Sequence, residues 1–513
     1  MPNRRTFLQS LLSTGTLLAT TEASPIAETD CGRLQASSVQ GVHVFRGIPY
    51  GGPTEGSARF LPPAKPAKWT GIRDATITGP RCVQGPGNIF LSPLIGEYFG
   101  GGRPNRTELA RQTDSENCLN VNVLTPGLKG KRPVMVYMHG GGLTGGSSAL
   151  TLFSDVHVRE QDIVLVGVNH RLNVFGYTYL GGLSSKYATA NVGQLDLIAA
   201  LQWVQRNIAN FGGDPNNVTI FGESGGGAKI SALLAMPGAK GLFHKAAVQS
   251  GSVLRAGDPD TATAAARKLL ANLGLTQADE LQHISADKLF AASRNIGQPA
   301  VIVDGHSLPH QPWDPTAPEL SATIPLIIGC NKDETSLSYT KDSAIHTLTE
   351  AGLKERTIAA GIPAADADKL LSLYRRDHPG ESPTDIWFRI TTDRGTRRNS
   401  LRQAERKAEQ NRASVFFYYC QWDTPISEGA HKIKAFHTSD LPLTMRLVRF
   451  PESEQLSKQL SAAWAAFART GNPSTNALPW PAFTLKDRAT MIFDSTNSHA
   501  INDPDRDTRR LLD

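Results

Sequence analysis

A mostly parallel β-sheet with helices on both faces is the architecture this sequence predicts, and three observations predict it. Short apolar runs rich in β-branched and aromatic residues alternate with helix-period segments along the chain, the pattern of strands joined by crossover helices. Several runs are apolar throughout instead of alternating with polar residues, as strands buried on both faces require. No internal repeat, low-complexity tract or Pro/Ser linker divides residues 30–513.

The elements follow in chain order. Asn3-Arg4-Arg5-Thr6-Phe7-Leu8-Gln9 is a twin-arginine pattern, succeeded by a modestly apolar stretch from Leu11 to Ala19 and small residues near Ala23. That order resembles a bacterial twin-arginine export signal over residues 1–23, with a periplasmic or secreted destination. Strands are expected at Val134–Met138, Ile163–Val168, Val218–Phe221, Ala246–Gln249, Ile324–Ile328 and Val415–Tyr419. Between the second and third, Leu195, Ile198, Leu201, Val204 and Ile208 recur every three or four residues. They form an apolar helix face that stops at Gly212-Gly213-Asp214-Pro215, which makes a strand, helix, strand unit.

Composition bounds the function. Forty per cent of the 513 residues are hydrophobic and 19% charged, and the 47 Gly and 32 Pro are spread without period, which excludes collagenous and disordered classes. No apolar run after the N-terminus approaches the ~20 residues that span a bilayer, so no stable membrane insertion is expected. The net charge of +6 is small for so large a surface and points to no nucleic-acid partner. Five cysteines, 31, 82, 118, 330 and 420, are an odd number with no CxxC pair, so at least one thiol stays unpaired within the chain. No HExxH, clustered His/Cys or acidic calcium loop appears and the Lys-Ser/Thr pair of a phosphate loop is missing, so neither a metal nor an organic cofactor is implied.

Gly222-Glu223-Ser224-Gly225-Gly226 carries the chemistry. It lies directly after the strand Val218–Phe221 and before a helix-like stretch from Ala228 to Met236, and a GxSxG turn in that setting holds its serine in strained geometry with the hydroxyl exposed. A serine hydroxyl needs a base to take its proton and donors to hold the oxyanion that forms. His139-Gly140-Gly141-Gly142-Leu143 follows another strand, where small residues can aim backbone N–H groups into a cavity.

Phe211-Gly212-Gly213-Asp214-Pro215-Asn216-Asn217-Val218-Thr219-Ile220-Phe221 running into Ser224 resembles the nucleophile signature of the type-B carboxylesterases, the cholinesterase-like family of the α/β-hydrolase fold. Ser115-Glu116-Asn117-Cys118-Leu119-Asn120-Val121-Asn122-Val123 is similar to that family's second signature. The likeness runs through Phe45-Arg46-Gly47-Ile48-Pro49-Tyr50, Phe60-Leu61-Pro62-Pro63, Asn169 to Gly176 and Thr470-Gly471-Asn472-Pro473, so residues 24–513 are expected to form one esterase domain.

The resemblance implies a serine carboxylesterase whose acid is Glu334, in Asn331-Lys332-Asp333-Glu334, and whose base is His437, in Phe436-His437-Thr438-Ser439. The order Ser224, Glu334, His437 is that of the fold. It further implies oxyanion donors at the N–H groups of Gly141, Gly142 and Gly225, the last a departure from the usual alanine, and a supporting role for Ser250 near the acid. It also implies a disulfide between Cys82 and Cys118, which an oxidising compartment permits. Without it, neither His437 among 13 histidines nor Glu334 beside Asp333 could be chosen.

A small-molecule ester and water are the expected partners, and the oligomeric state is open. The chain between Cys82 and Cys118 lacks Trp, and Leu337 and Ser338 stand where cholinesterases place aromatics. Quaternary ammonium groups sit on aromatic faces, so a general carboxylesterase fits better than a choline esterase. A non-catalytic binding relative is disfavoured by the full Ser, Glu, His set. The basic run Arg394, Arg397, Arg398, Arg402, Arg406, Lys407 and Arg412 has helical spacing broken by Glu405 and Glu409; it is read as a solvated helix face rather than a nucleic-acid patch.

Overall fold

The computed structural model describes residues 24–85, 98, 112–340, 342–428 and 431–512. The twin-arginine segment and most of the chain between Cys82 and Cys118 lie outside the described residues.

The described strands, in order, are β1 (Ile26–Thr29), β2 (Gly32–Gln35), β3 (Ser37–Val39), β4 (Val42–Pro49), β5 (Ile72–Asp74), β6 (Asn120–Thr125), β7 (Arg132–Met138), β8 (Val164–Val168), β9 (Gly213–Glu223), β10 (Lys245–Gln249), β11 (Leu326–Asn331), β12 (Val415–Cys420), β13 (Thr424–Glu428), β14 (His431–Lys434), β15 (Ala489–Phe493) and β16 (His499–Asn502). Eleven of them form one sheet in the order β16-β15-β12-β11-β10-β9-β7-β8-β6-β4-β3. From β15 to β8 every pairing is parallel. The edges are antiparallel: β16 on one side, and β6, β4 and β3 on the other.

Side-chain alternation divides the core into two layers. Val134, Val136 and Met138 of β7 and Val164, Val166 and Val168 of β8 join one apolar cluster. Their neighbours Met135, Tyr137 and Leu165 join the other. Because successive residues of a strand point to opposite faces, the sheet is buried from both sides. Helix α1 (Val192–Asn207) seals the first face with Leu197, Leu201 and Val204. Helix α4 (Glu454–Thr470) seals the second with Leu460, Trp464 and Phe467. The expected α/β architecture is present, with α2 (Gly225–Leu233) and α3 (Arg398–Glu409) completing the layers used below.

Boundaries shift by a residue or more from the sequence reading, and three of the shifts have a structural reason. β11 starts at Leu326, not Ile324; Pro325 has no N–H to give the ladder, which opens with the Leu326 amide donating to the Ser414 carbonyl at 3.0 Å. β9 reaches back to Gly213, so the Asp214 and Pro215 that close the helix period already stand inside an extended segment. α2 begins at Gly225 instead of Ala228, because its three leading glycines adopt helical backbone despite their low propensity.

The basic run is not a solvated face throughout. Arg397 is buried between Asp393 (3.0 Å) and Asp505 (2.8 Å). Arg406 pairs with Asp314 at 2.7 Å, and the buried Lys407 ammonium donates to the carbonyls of Ser321 and Ala322. These cations are consumed inside the fold, since a buried charge must be paired or hydrogen-bonded. Among the described residues no helix is long and apolar enough to cross a membrane.

Candidate active site

Five parallel strands end on the same side, and their C-terminal ends carry the site. Ser224 joins the last residue of β9 to the first of α2 at φ 57°, ψ −122°. A non-glycine residue there stores about 1–3 kcal/mol of strain. The turn is held by the Ser224 amide donating to the Gln249 carbonyl at 2.8 Å, and Gly226 permits it: a Cβ there would collide with the Met138 carbonyl of β7.

The Ser224 hydroxyl lies 2.7 Å from His437 Nε2, and His437 Nδ1 makes a short contact with Glu334 Oε2. The other oxygen of Glu334 is fixed by two donors, the Ser250 hydroxyl at 2.6 Å and the Asn331 amide at 2.7 Å. The Glu334 amide donates to the Thr392 hydroxyl at 3.0 Å, anchoring the turn to the helix Pro383–Thr392. Four residues named from the sequence, Ser224, Glu334, His437 and Ser250, therefore form one chain of contacts.

Asp333, which the sequence could not separate from Glu334, points elsewhere. It accepts from the Ala435 amide at 3.2 Å and pairs with Lys332 at 3.6 Å. Burial pushes its carboxyl up to about 6. Its own amide donates to the Ala435 carbonyl at 2.9 Å, so the residue beside Glu334 stitches that turn to the loop that carries His437. That loop is held below by Asp440, whose carboxylate accepts from Tyr418 (2.6 Å), Gln249 (2.9 Å) and Asn331 (3.0 Å). Tyr98 holds it above, its hydroxyl donating to the Ser439 carbonyl at 2.6 Å.

Gly141 and Gly142 adopt left-handed φ of 87° and 62° and line, with Ser224, a cavity of ≈ 690 Å³. Tyr177, Tyr179 and Phe290 supply aromatic surface to the same cavity. Gly225 packs directly on Gly142. Gln84 and Gly85, just after Cys82, also line it; residues 86–97 and 99–111 lie outside the described residues.

Sequence reasoning passed over Glu223, although it stands within the serine motif. Its buried carboxylate lies 3.5 Å from His437 Nε2. Desolvation lowers the His437 imidazole, but the Glu223 and Glu334 carboxylates overturn this and hold it above its ordinary value. Thr392 and Asp440 carried no signal, since nothing local distinguishes a threonine or aspartate that contacts a residue far along the chain.

The expected disulfide is not formed. Cys82 and Cys118 are neighbours, but both are buried free thiols, as are Cys31, Cys330 and Cys420. The Cys82 sulfur is engaged otherwise, accepting from the Leu172 amide at 3.2 Å.

Comparison with known proteins places this geometry in context. A family model described as the carboxylesterase family matches residues 23–509. The para-nitrobenzyl esterase of Bacillus subtilis is 36% identical across 95% of this chain and 98% of its own length. A pyrethroid hydrolase of Rattus norvegicus is 32% identical across 90% and 84%. Among solved structures, the Geobacillus stearothermophilus carboxylesterase superposes with a TM-score of 0.79 at 33% identity, covering 95% of this chain and all of that one.

Proposed function

The chain belongs to the carboxylesterase family, a serine carboxylic ester hydrolase by that membership, and we propose that it acts through Ser224, Glu334 and His437 on small to medium-sized organic esters. The observation that carries this reading is the unbroken relay from the Ser224 hydroxyl through both nitrogens of His437 to Glu334.

His437 accepts the Ser224 proton as the oxygen attacks the ester carbonyl. Glu334, whose second oxygen is occupied by Ser250 and Asn331, fixes the ring with Nδ1–H toward itself and stabilises the imidazolium. The N–H groups of Gly141, Gly142 and Gly225 hold the tetrahedral oxyanion. His437 then protonates the leaving alcohol, and an acyl group remains on Ser224. Water, deprotonated by the same imidazole, attacks that acyl group, and the acid departs with the serine restored.

The cavity volume suits a drug-sized ligand, and its Tyr and Phe walls suit an ester with an aryl or benzyl portion. The printed names of the para-nitrobenzyl and pyrethroid relatives agree with that choice. A non-catalytic binding role is disfavoured because Ser224 keeps the strained backbone of a nucleophile. We further infer that residues 1–23 direct export to the periplasm or beyond, and that residues 24–513 act as one esterase unit.

Purified protein assayed on p-nitrophenyl esters of graded chain length, aryl diesters and matching amides tests the reading. The expected result is ester turnover, little on amides, and covalent labelling by a fluorophosphonate, both abolished in Ser224→Ala. Turnover retained by that variant overturns the assignment.

A further inference from the structure

Lys229 is fully buried, five residues beyond Ser224 on the nucleophile helix α2. Lysine is almost never buried unless paired, yet among the described residues no carboxylate pairs with it. Its ammonium nitrogen instead donates to the backbone carbonyl of His139 at 2.9 Å. His139 is the residue from which the glycine loop Gly140–Gly142 leaves β7. An apolar side chain of equal length would fill the same volume without the desolvation cost that burial imposes on an amine. What the lysine adds is the hydrogen bond.

Two further observations place that bond at a joint. The His139 ring stacks on buried His170, centroids 4.7 Å apart at 28°. Burial and the Lys229 charge hold both imidazoles well below their ordinary value, so the amine faces two neutral rings. On the other side of the loop, a Cβ on Gly225 would stand 2.5 Å from both N and Cα of Gly142. Helix α2 thus meets the glycine loop by close backbone approach at Gly225 and the His139 carbonyl by a tether from Lys229.

We propose that Lys229 is a positioning residue for the oxyanion hole, fixing the Gly140–Gly142 loop through the His139 carbonyl onto the helix that carries Ser224. The inference rests on the hydrolytic reading above. Burial lowers Lys229 to about 7, and amine and ammonium alike retain an N–H for His139.

Lys229→Met keeps the unbranched stem, one atom shorter, and removes the donor. The measurements are kcat and KM on a p-nitrophenyl ester, and the inhibition constant of an aryl trifluoromethyl ketone, whose serine adduct puts an oxyanion in the hole. Misplacement near 1 Å costs up to about 10²-fold, so kcat is expected to fall about 10- to 100-fold and inhibitor affinity by a similar factor, with KM within about threefold. A folded Lys229→Met enzyme with unchanged kcat, or one that loses kcat while binding the ketone as tightly as before, overturns the proposal. If Lys229→Met does not fold, Lys229→Gln, too short to reach His139, takes its place under the same criteria; failure of both to fold makes the lysine a folding element and also overturns it. An inactive wild type that resists fluorophosphonate would instead remove the hydrolytic reading itself.

Discussion

His437 Nε2 lies 2.7 Å from the Ser224 hydroxyl across 213 residues of sequence, and neither residue's own segment sets that distance. Ser224 is fixed by the turn between β9 and α2. His437 is fixed by a loop whose anchors are Asp333, Asp440 and Tyr98. The relay is therefore as rigid as those anchors.

Replacing Glu334 with Gln leaves an isosteric group that still accepts from Ser250 and Asn331 but stabilises the wrong imidazole tautomer. In a serine protease the equivalent change costs ≈ 10⁴ in kcat. A fall of about 10³- to 10⁴-fold in kcat on p-nitrophenyl esters is expected, with the thermal midpoint nearly unchanged. A loss below tenfold would remove Glu334 from the relay.

The pH profile follows from the two carboxylates beside the base. His437 is desolvated, which lowers its pKa, but Glu223 and Glu334 raise it above the ordinary histidine value. Only the neutral imidazole accepts the Ser224 proton, so kcat/KM is lost as pH falls and its acidic limb lies above about 6.5. Glu223→Gln removes one of the raising charges, and the limb should move to lower pH. A limb that stays in place separates Glu223 from the base.

The left-handed backbone of the glycine loop is a second point of sensitivity. Gly141→Ala puts a Cβ 2.5 Å from the Gly145 carbonyl oxygen at a φ of 87°, so the loop must shift. Loss of one oxyanion donor costs about 10²- to 10³-fold in turnover, and kcat should fall in that range. Phosphonate inactivation, measured as a rate on the same variant, should slow in parallel.

Stability depends on a buried ion pair behind the site. Asp196 accepts from the Arg171 amide (3.0 Å), Nε (2.8 Å) and Nη2 (2.7 Å), and neither side chain is more than 1% exposed. Breaking such a pair from one side strands a buried charge and costs about 3–5 kcal/mol. Asp196→Ala should lower the denaturation midpoint by an amount equivalent to that, read by circular dichroism in urea. A midpoint close to wild type would mean the guanidinium finds another partner.

Much of the fold was legible because its strands are buried on both faces and so read as continuous apolar runs. The β7 and β8 runs fell within one or two residues of their observed ends. Pro325, with no N–H for the ladder, holds back β11, and the neighbouring strand β7 rather than local propensity carries β9 back to Gly213. The local pattern of the basic run points to solvent, whereas partners distant in sequence draw Arg397 and Lys407 inside.

The sequence by itself determined the sheet class, the serine turn and the residues on which the family signatures rest, since each is a local pattern of apolar period, glycine and proline. Tertiary structure alone decided which carboxylate faces the base, that Glu223 joins Glu334 around it, that Cys82 remains a thiol beside Cys118, and that Lys229 reaches His139. The reason is geometric: hydrogen bonds and ion pairs act over a few ångströms, and only the folded sheet brings those distant segments within that range.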